Sequence, residues 1–185
     1  MIDETLEELR DGLNKALDSL KRELARLRTG RASVDMLESI RVDYYGTPTP
    51  IPQMASVTVP EARMLVVKPW DRSSLTLIEK AIQTSPLDLN PQNDGEIIRI
   101  PIPMLTEQRR KELVKLAREH GEKCRVAMRA ARHEAKDMLA SLAKEGEASE
   151  DDVDRALKKV EEIVKDGNAK VDEILAKKEK DVMEL

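Results

Sequence analysis

Apolar residues recur at alternating spacings of three and four along the first part of the chain: Leu6, Leu9, Leu13, Ala16, Leu20, Leu24 and Leu27. That rhythm gathers them into one stripe and predicts a helix from about Asp3 to Arg28. Gly30 falls just past it, where a left-handed residue ends a helix. A second helical pattern starts at Thr106, a candidate N-cap, with Glu107 in the first turn near the positive end of the dipole. Nothing breaks it before Gly146, so it runs about 40 residues, or roughly 60 Å. Gly121 lies inside it at a cost of about 1 kcal/mol relative to alanine. The stretch "KEGEASEDD" turns the chain, and Ser149 with Asp152 resembles a capping box. A third helix then carries Val153, Ala156, Val160, Ile163, Gly167, Val171 and Ile174 on its seam. Three helices with one seam each hide those seams most economically in a three-helix bundle. An intermolecular coiled coil would cover the same seams, but two turns within one chain favour the intramolecular bundle.

Between the first two helices the pattern changes. All nine prolines lie between Pro48 and Pro103, and each costs about 3 kcal/mol inside a helix. "SIRVDYY" alternates Ile40, Val42 and Tyr44 against Arg41 and Asp43, as a half-buried strand does. "YGTPTPIP" reads as a turn-rich connection in which proline removes backbone donors. "MASVTV" and "MLVVKPW" read as strands, and "SSLTLIEKAIQTS" as a helix with Leu75, Ile78 and Ile82 on one face, capped by Ser73 or Ser74. "NDG" is a turn before the strand "EIIRIPI". The fold class is therefore α+β: a long bundle formed by residues 1–30 plus 105–185, with a small β/α/β domain, 31–104, inserted into it. The chain crosses between the two near Thr29–Ser33 and Pro103–Thr106. Two short crossings suit a hinge, formed by Gly30, Arg31, Pro103, Leu105 and Thr106.

Composition narrows the chemistry. Of 185 residues, 37 % are charged and 2 % aromatic, with no Phe, which is the composition of long helices. The single Cys124 excludes an internal disulfide and sits on a seam, as a small core residue would. The acidic start "MIDETLEELR" has no apolar segment of a signal peptide. No apolar run approaches the roughly 20 residues that span a bilayer. The expectation is a cytoplasmic monomer. His120 and His133 have no second ligand at useful spacing, and no phosphate-binding glycine loop or nucleophile elbow occurs. No active site, metal or cofactor is expected.

One chemical signal stands out in this chain of net charge −4. Taking Arg125 as zero on the second helix, Lys111, Arg118, Arg129, Arg132 and Lys136 fall between roughly −20° and +40°. The apolar residues, among them Leu113, Ala117, Cys124, Met128, Ala135 and Leu142, gather near roughly −110°. Val114 and Glu122 interrupt the row of cations. A solvated face usually mixes signs, yet no acid lies between Arg125 and Arg132. Residues 106–145 hold eleven Lys/Arg against seven Asp/Glu, and residues 149–185 hold eight against twelve. Arginines suit bidentate phosphate contact. The row reads as a polyanion-binding face for RNA recognised by shape and phosphate, not for DNA. No aromatic residue interleaves it to stack bases. The competing readings are a solvated face and a coiled-coil adaptor that binds proteins through its seams.

"LRTGRAS" at Leu27–Ser33, "YYGTPTP" at Tyr44–Pro50, "ASVTV" at Ala55–Val59, "LTEQRRKELVK" at Leu105–Lys115 and "RVAMRAARHEA" at Arg125–Ala135 resemble the bacterial ribosome recycling factor family. The resemblance covers the whole chain. It implies a three-helix bundle with an inserted β/α/β domain on a hinge, L-shaped and comparable to tRNA in outline. It also implies binding to the ribosome after termination, chiefly to large-subunit ribosomal RNA. Splitting of the ribosome into subunits would then occur with elongation factor G and its GTP hydrolysis. Carried over by position, the RNA-contacting residues are Arg129 and Arg132, with Arg125 in the same row and Arg28 and Arg31 as helpers at the junction. His133 stands where many relatives carry another basic residue. Tyr44, Tyr45 and Gly46 are candidates for a partner surface, or for a turn that only packs the small domain.

Overall fold

The computed structural model describes residues 1–184 and divides into two units, Met1–Arg28 with Glu107–Glu184, and Thr29–Thr106. The first unit consists of three long helices: α1 (Ile2–Arg26), α5 (Glu107–Lys144) and α6 (Glu150–Met183). Each packs on both of the others. Their seams form one core through Leu6, Leu13, Leu20, Leu24, Ala117, Met128, Val160 and Val171. The sheltered stripes are broader than a strict three-and-four spacing marks. Leu17, Leu139, Val164 and Leu175 are buried, while Ala16, Ile163 and Ile174 are half-buried, and Ala127 and Met138 are exposed. Drift of a 3.6-residue helix against a 3.5-residue repeat moves the buried line across the surface over such lengths.

One helix end differs from the expected one, and the turn into α6 is as expected. α1 stops at Arg26, not Arg28: Leu27 is extended, with φ −76° and ψ 113°. Gly30 does have a left-handed φ of 76°, but it lies beyond the terminus and bends the crossing instead of capping the helix. The turn into α6 uses Gly146 at φ 73°, with Glu147 N–H donating to Leu142 O at 3.0 Å. Ser149 caps α6: its Oγ accepts from Asp152 N at 3.1 Å and donates to Asp152 Oδ2 at 2.6 Å.

In the second unit, β1 (Arg41–Tyr44) and β2 (Thr47–Pro50) form an antiparallel hairpin. Thr47–Pro50, within "YGTPTPIP", is thus a strand and not the irregular connection expected from its prolines. Tyr45 at φ 49° and Gly46 at φ 79° make the two-residue turn, and both need the left-handed region that a tight hairpin with the right twist demands. β2 is the outer member of a two-stranded ribbon, where the missing proline donors face no further strand. Three short elements also went unmarked in the sequence: α2 (Asp35–Glu38), α3 (Ile51–Met54) and β5 (Gln92–Asn93). The main sheet orders β3 (Ala55–Glu61), β4 (Met64–Pro69), β6 (Ile98–Pro101) and β5, all antiparallel. Leu65 and Val67 of β4 and Ile98 and Ile100 of β6 point to one face, and with Leu75, Ile78 and Ile82 of α4 (Leu75–Gln83) they form the core of this unit.

Both crossings are tied to one corner of the second unit. Ala32 N–H donates to Ala62 O at 2.7 Å and Ile102 N–H to Arg63 O at 2.8 Å. A Cβ at Gly30 would stand 3.0 Å from Leu105 Cγ, so the two crossings also touch each other.

Candidate nucleic-acid interface

α5 carries the cation row because its residues advance by about 100° each. The row thus stays on one side of the helix while Leu113, Ala117, Cys124, Met128 and Ala135 stay in the core. Cys124 is buried and free, and that burial pushes its thiol pKa up, with Arg125 opposing in part. This fits the core role read from the sequence. His133 is mostly exposed, with Nε2 3.4 Å from Asp137 Oδ2. Among the described residues no group of three or more His, Cys, Asp or Glu is placed to hold a metal ion. No described helix is long and apolar enough to cross a membrane.

The acid-free run from Arg125 to Arg132, taken from the sequence as a sign against a mixed-sign face, does not stay free of acids in three dimensions. α6 lies alongside and supplies carboxylates. Arg118 makes a bidentate pair with Glu179, at 2.7 and 3.2 Å, and Arg125 pairs with Asp172. Arg132 is bidentate to Glu161, with Nη2 at 2.7 Å from Oε1, and Lys136 Nζ lies 2.7 Å from the same oxygen. Arg129 stays on its own helix, 2.8 Å from Glu122. Hydrogen bonds from Arg132 and Lys136 hold the Glu161 carboxyl down to about 2, and the Arg132 guanidinium is raised in return.

These pairs do not remove the cations from solvent. The side chains of Arg125, Arg132 and Arg129 are 29, 38 and 60 % exposed. Exposed ion pairs contribute only about 0–1 kcal/mol each, so a polyanion that offers several phosphates at once can compete for them. The structure thus brings Arg125, Arg129 and Arg132 into one face. Arg28 lies just past α1, exposed, where Lys178 of α6 donates to Leu27 O at 3.1 Å. Arg31 is exposed and belongs to the second unit. At the hairpin tip Tyr45 is 83 % exposed, its ring edge-on to Tyr44 with centroids 4.6 Å apart. Sequence reasoning missed the acids Glu161, Asp172 and Glu179. Asp172 and Glu179 are one heptad apart, the same step as Arg118 to Arg125, and that shared period was the signal.

The family model described as ribosome recycling factor matches residues 20–183. The chain belongs to the ribosome recycling factor family. It is 52 % identical over its whole length to the ribosome-recycling factor of Sorangium cellulosum, the match covering all of both chains. It is 50 % identical to that of Anaeromyxobacter dehalogenans, with 99 % of this chain and 97 % of the relative covered. Among solved structures, a solution structure of the ribosome recycling factor matches with a TM-score of 0.76 and 37 % identity, covering 100 % of this chain and 98 % of the other. A second match, with a TM-score of 0.66 and 45 % identity, covers 99 % of each chain. It comes from models of the T. thermophilus ribosome recycling factor and E. coli elongation factor G bound to the E. coli post-termination complex. The α+β bundle with a small sheet domain is thus the architecture of the family.

Proposed function

We propose that this chain is a ribosome recycling factor that, together with elongation factor G and GTP hydrolysis, splits post-termination ribosomes into subunits. The observation that carries the reading is the full-length likeness to a factor bound, with elongation factor G, to a post-termination complex. In this reading the chain works in the cytoplasm as a monomer, without a cofactor. It contributes binding and leverage, and the nucleotide chemistry belongs to elongation factor G. Large-subunit ribosomal RNA meets the α5 face through Arg125, Arg129 and Arg132, with Arg28 and Arg31 as helpers. A coiled-coil adaptor is disfavoured because the seams it would offer are buried against one another.

The second unit moves about the crossings in this reading. Backbone bonds at Ala32 and Ile102 fix the inner ends of both crossings to one corner. The pivot then falls on the residues outside them: Gly30, Arg31, Pro103, Leu105 and Thr106. Tyr44, Tyr45 and Gly46 at the hairpin tip offer a surface to a protein partner. Light scattering from post-termination ribosomes tests the whole reading. Scattering should fall when the chain, elongation factor G and GTP are all present. A variant whose two units are tethered by a cross-link should still bind ribosomes but leave scattering high. Splitting without the chain, or unimpaired splitting by the tethered variant, would contradict the role or the hinge respectively.

A further inference from the structure

The ion pairs between α5 and α6 keep one antiparallel register. Arg118–Glu179 and Arg125–Asp172 stand seven residues apart on both helices, and Lys136–Glu161 continues the register eleven residues further on both. Arg132 departs from it. The α6 position that faces it in this register is Lys165, a like charge. Its guanidinium turns instead to Glu161, with Nε 3.1 Å from both carboxylate oxygens and Nη2 2.7 Å from Oε1. One carboxylate therefore serves two cations of the row, and among the described residues neither Arg132 nor Lys136 pairs with a second acid.

That arrangement imitates a bound phosphate. A carboxylate presents two coplanar oxygens to the guanidinium fork, as two oxygens of a phosphate do. Arg129 differs, since its pair lies within α5 and it can meet an RNA without undoing a link between helices. An RNA phosphate takes the Nε–Nη2 edge of the Arg132 fork only by displacing Glu161. We propose that Glu161 is an internal phosphate mimic, an autoinhibitory counter-ion that occupies Arg132 and Lys136 in the free protein and keeps generic RNA off the α5 row. The proposal rests on the reading of that row as an RNA-binding face. The carboxyl, held down to about 2 by hydrogen bonds from both cations, is ionised at physiological pH, as an ordinary glutamate is. Only a competing anion, and not a change of pH, then releases the pair.

The test is fluorescence-anisotropy binding of the full chain to a labelled single-stranded RNA of random sequence, across a salt series. Glu161→Gln keeps the side chain's size and removes its charge. It is expected to tighten binding about tenfold at low salt and to steepen the log–log salt slope by about 0.7 for each additional phosphate bound. Glu173→Gln, an exposed change of the same net charge on α6, should leave affinity within about twofold, as expected for a charge away from the bound phosphates. Placed on an Arg132→Ala/Lys136→Ala background, Glu161→Gln should leave affinity unchanged. Unchanged or weaker RNA binding by Glu161→Gln alone overturns the proposal, and weaker binding would mean that the carboxylate positions Arg132 for RNA. Binding of Arg132→Ala to isolated large ribosomal subunits separates the two levels. If that affinity is normal, the RNA face itself is misassigned. If it falls while Glu161→Gln changes nothing, only the role of Glu161 fails.

Discussion

Glycines inside the bundle helices divide by what stands opposite their missing side chain. At Gly12 of α1, an added Cβ would lie 3.5 Å from Ala131 Cβ, an ordinary contact. At Gly121 of α5 it would lie 2.5 Å from Leu175 Cδ1 and 3.2 Å from Leu175 Cγ. Alanine removes backbone freedom from the unfolded chain and is favoured over glycine in a helix by about 1 kcal/mol. Gly12→Ala should therefore raise stability by about 0.5–1 kcal/mol. Gly121→Ala has the same advantage but forces Leu175 out of place, and overpacking costs about 1–3 kcal/mol. It should lower stability by about 1 kcal/mol. Urea midpoints of the two variants check this, and stabilisation by Gly121→Ala would mean that Leu175 moves aside freely. From the chain alone Gly121 registers only as a weak point in a helix. Its purpose, a close approach of α6 to α5, depends on a residue 54 positions away in the sequence, which no local pattern reports.

At the scale of elements, the turn before β6 is braced by the Asp94 carboxylate, beside Asn93 Oδ1, which accepts from Gly95 N at 2.8 Å. Asp94 Oδ1 accepts from Glu96 N at 3.0 Å and Ile97 N at 2.9 Å, and Oδ2 accepts from Arg99 Nη1 at 2.6 Å. These bonds lower its pKa to about 2, the two backbone donors contributing most. A carboxyl depressed in the folded state adds stability that is present above the unfolded value, about 3.9, and is lost as pH falls toward the folded value. Stability of the second unit, followed by Trp70 fluorescence in urea, should thus decline between about pH 4 and 2. Asp94→Asn should be less stable at pH 7 and flatter across that window, the two midpoints converging near the acid end. Parallel curves for the two proteins would contradict the assignment. "NDG" announced this turn, because Asx side chains that bond their own backbone are a local property. The strand β2 was not announced. Pro48 and Pro50 argue against a strand when read singly, and only the ribbon's open outer edge makes them harmless. Likewise Leu17, Leu139, Val164 and Leu175 lie off the ideal seams because the buried line drifts along a 3.6-residue helix and each helix, packed on two neighbours, needs a wider apolar stripe than a two-helix seam.

Over the whole molecule, the row of cations was legible because a helix converts spacing into direction. Its counter-ions were not, since Glu161, Asp172 and Glu179 lie 25 to 61 positions from their partners and reach them only through the fold of α6 along α5. The RNA-binding face proposed for the molecule stands or falls with this row meeting ribosomal RNA even though acids occupy it in the free chain. Equilibrium binding to isolated large ribosomal subunits at several salt concentrations tests it, with the wild type compared to an Arg129→Ala/Arg132→Ala variant. The wild type should bind tightly and lose affinity steeply with salt, and the variant should bind more weakly with a slope shallower by about 0.7–0.9 for each phosphate no longer bound. Equal affinities with equal slopes would make the row a solvated face and place the ribosome-binding surface elsewhere on the molecule.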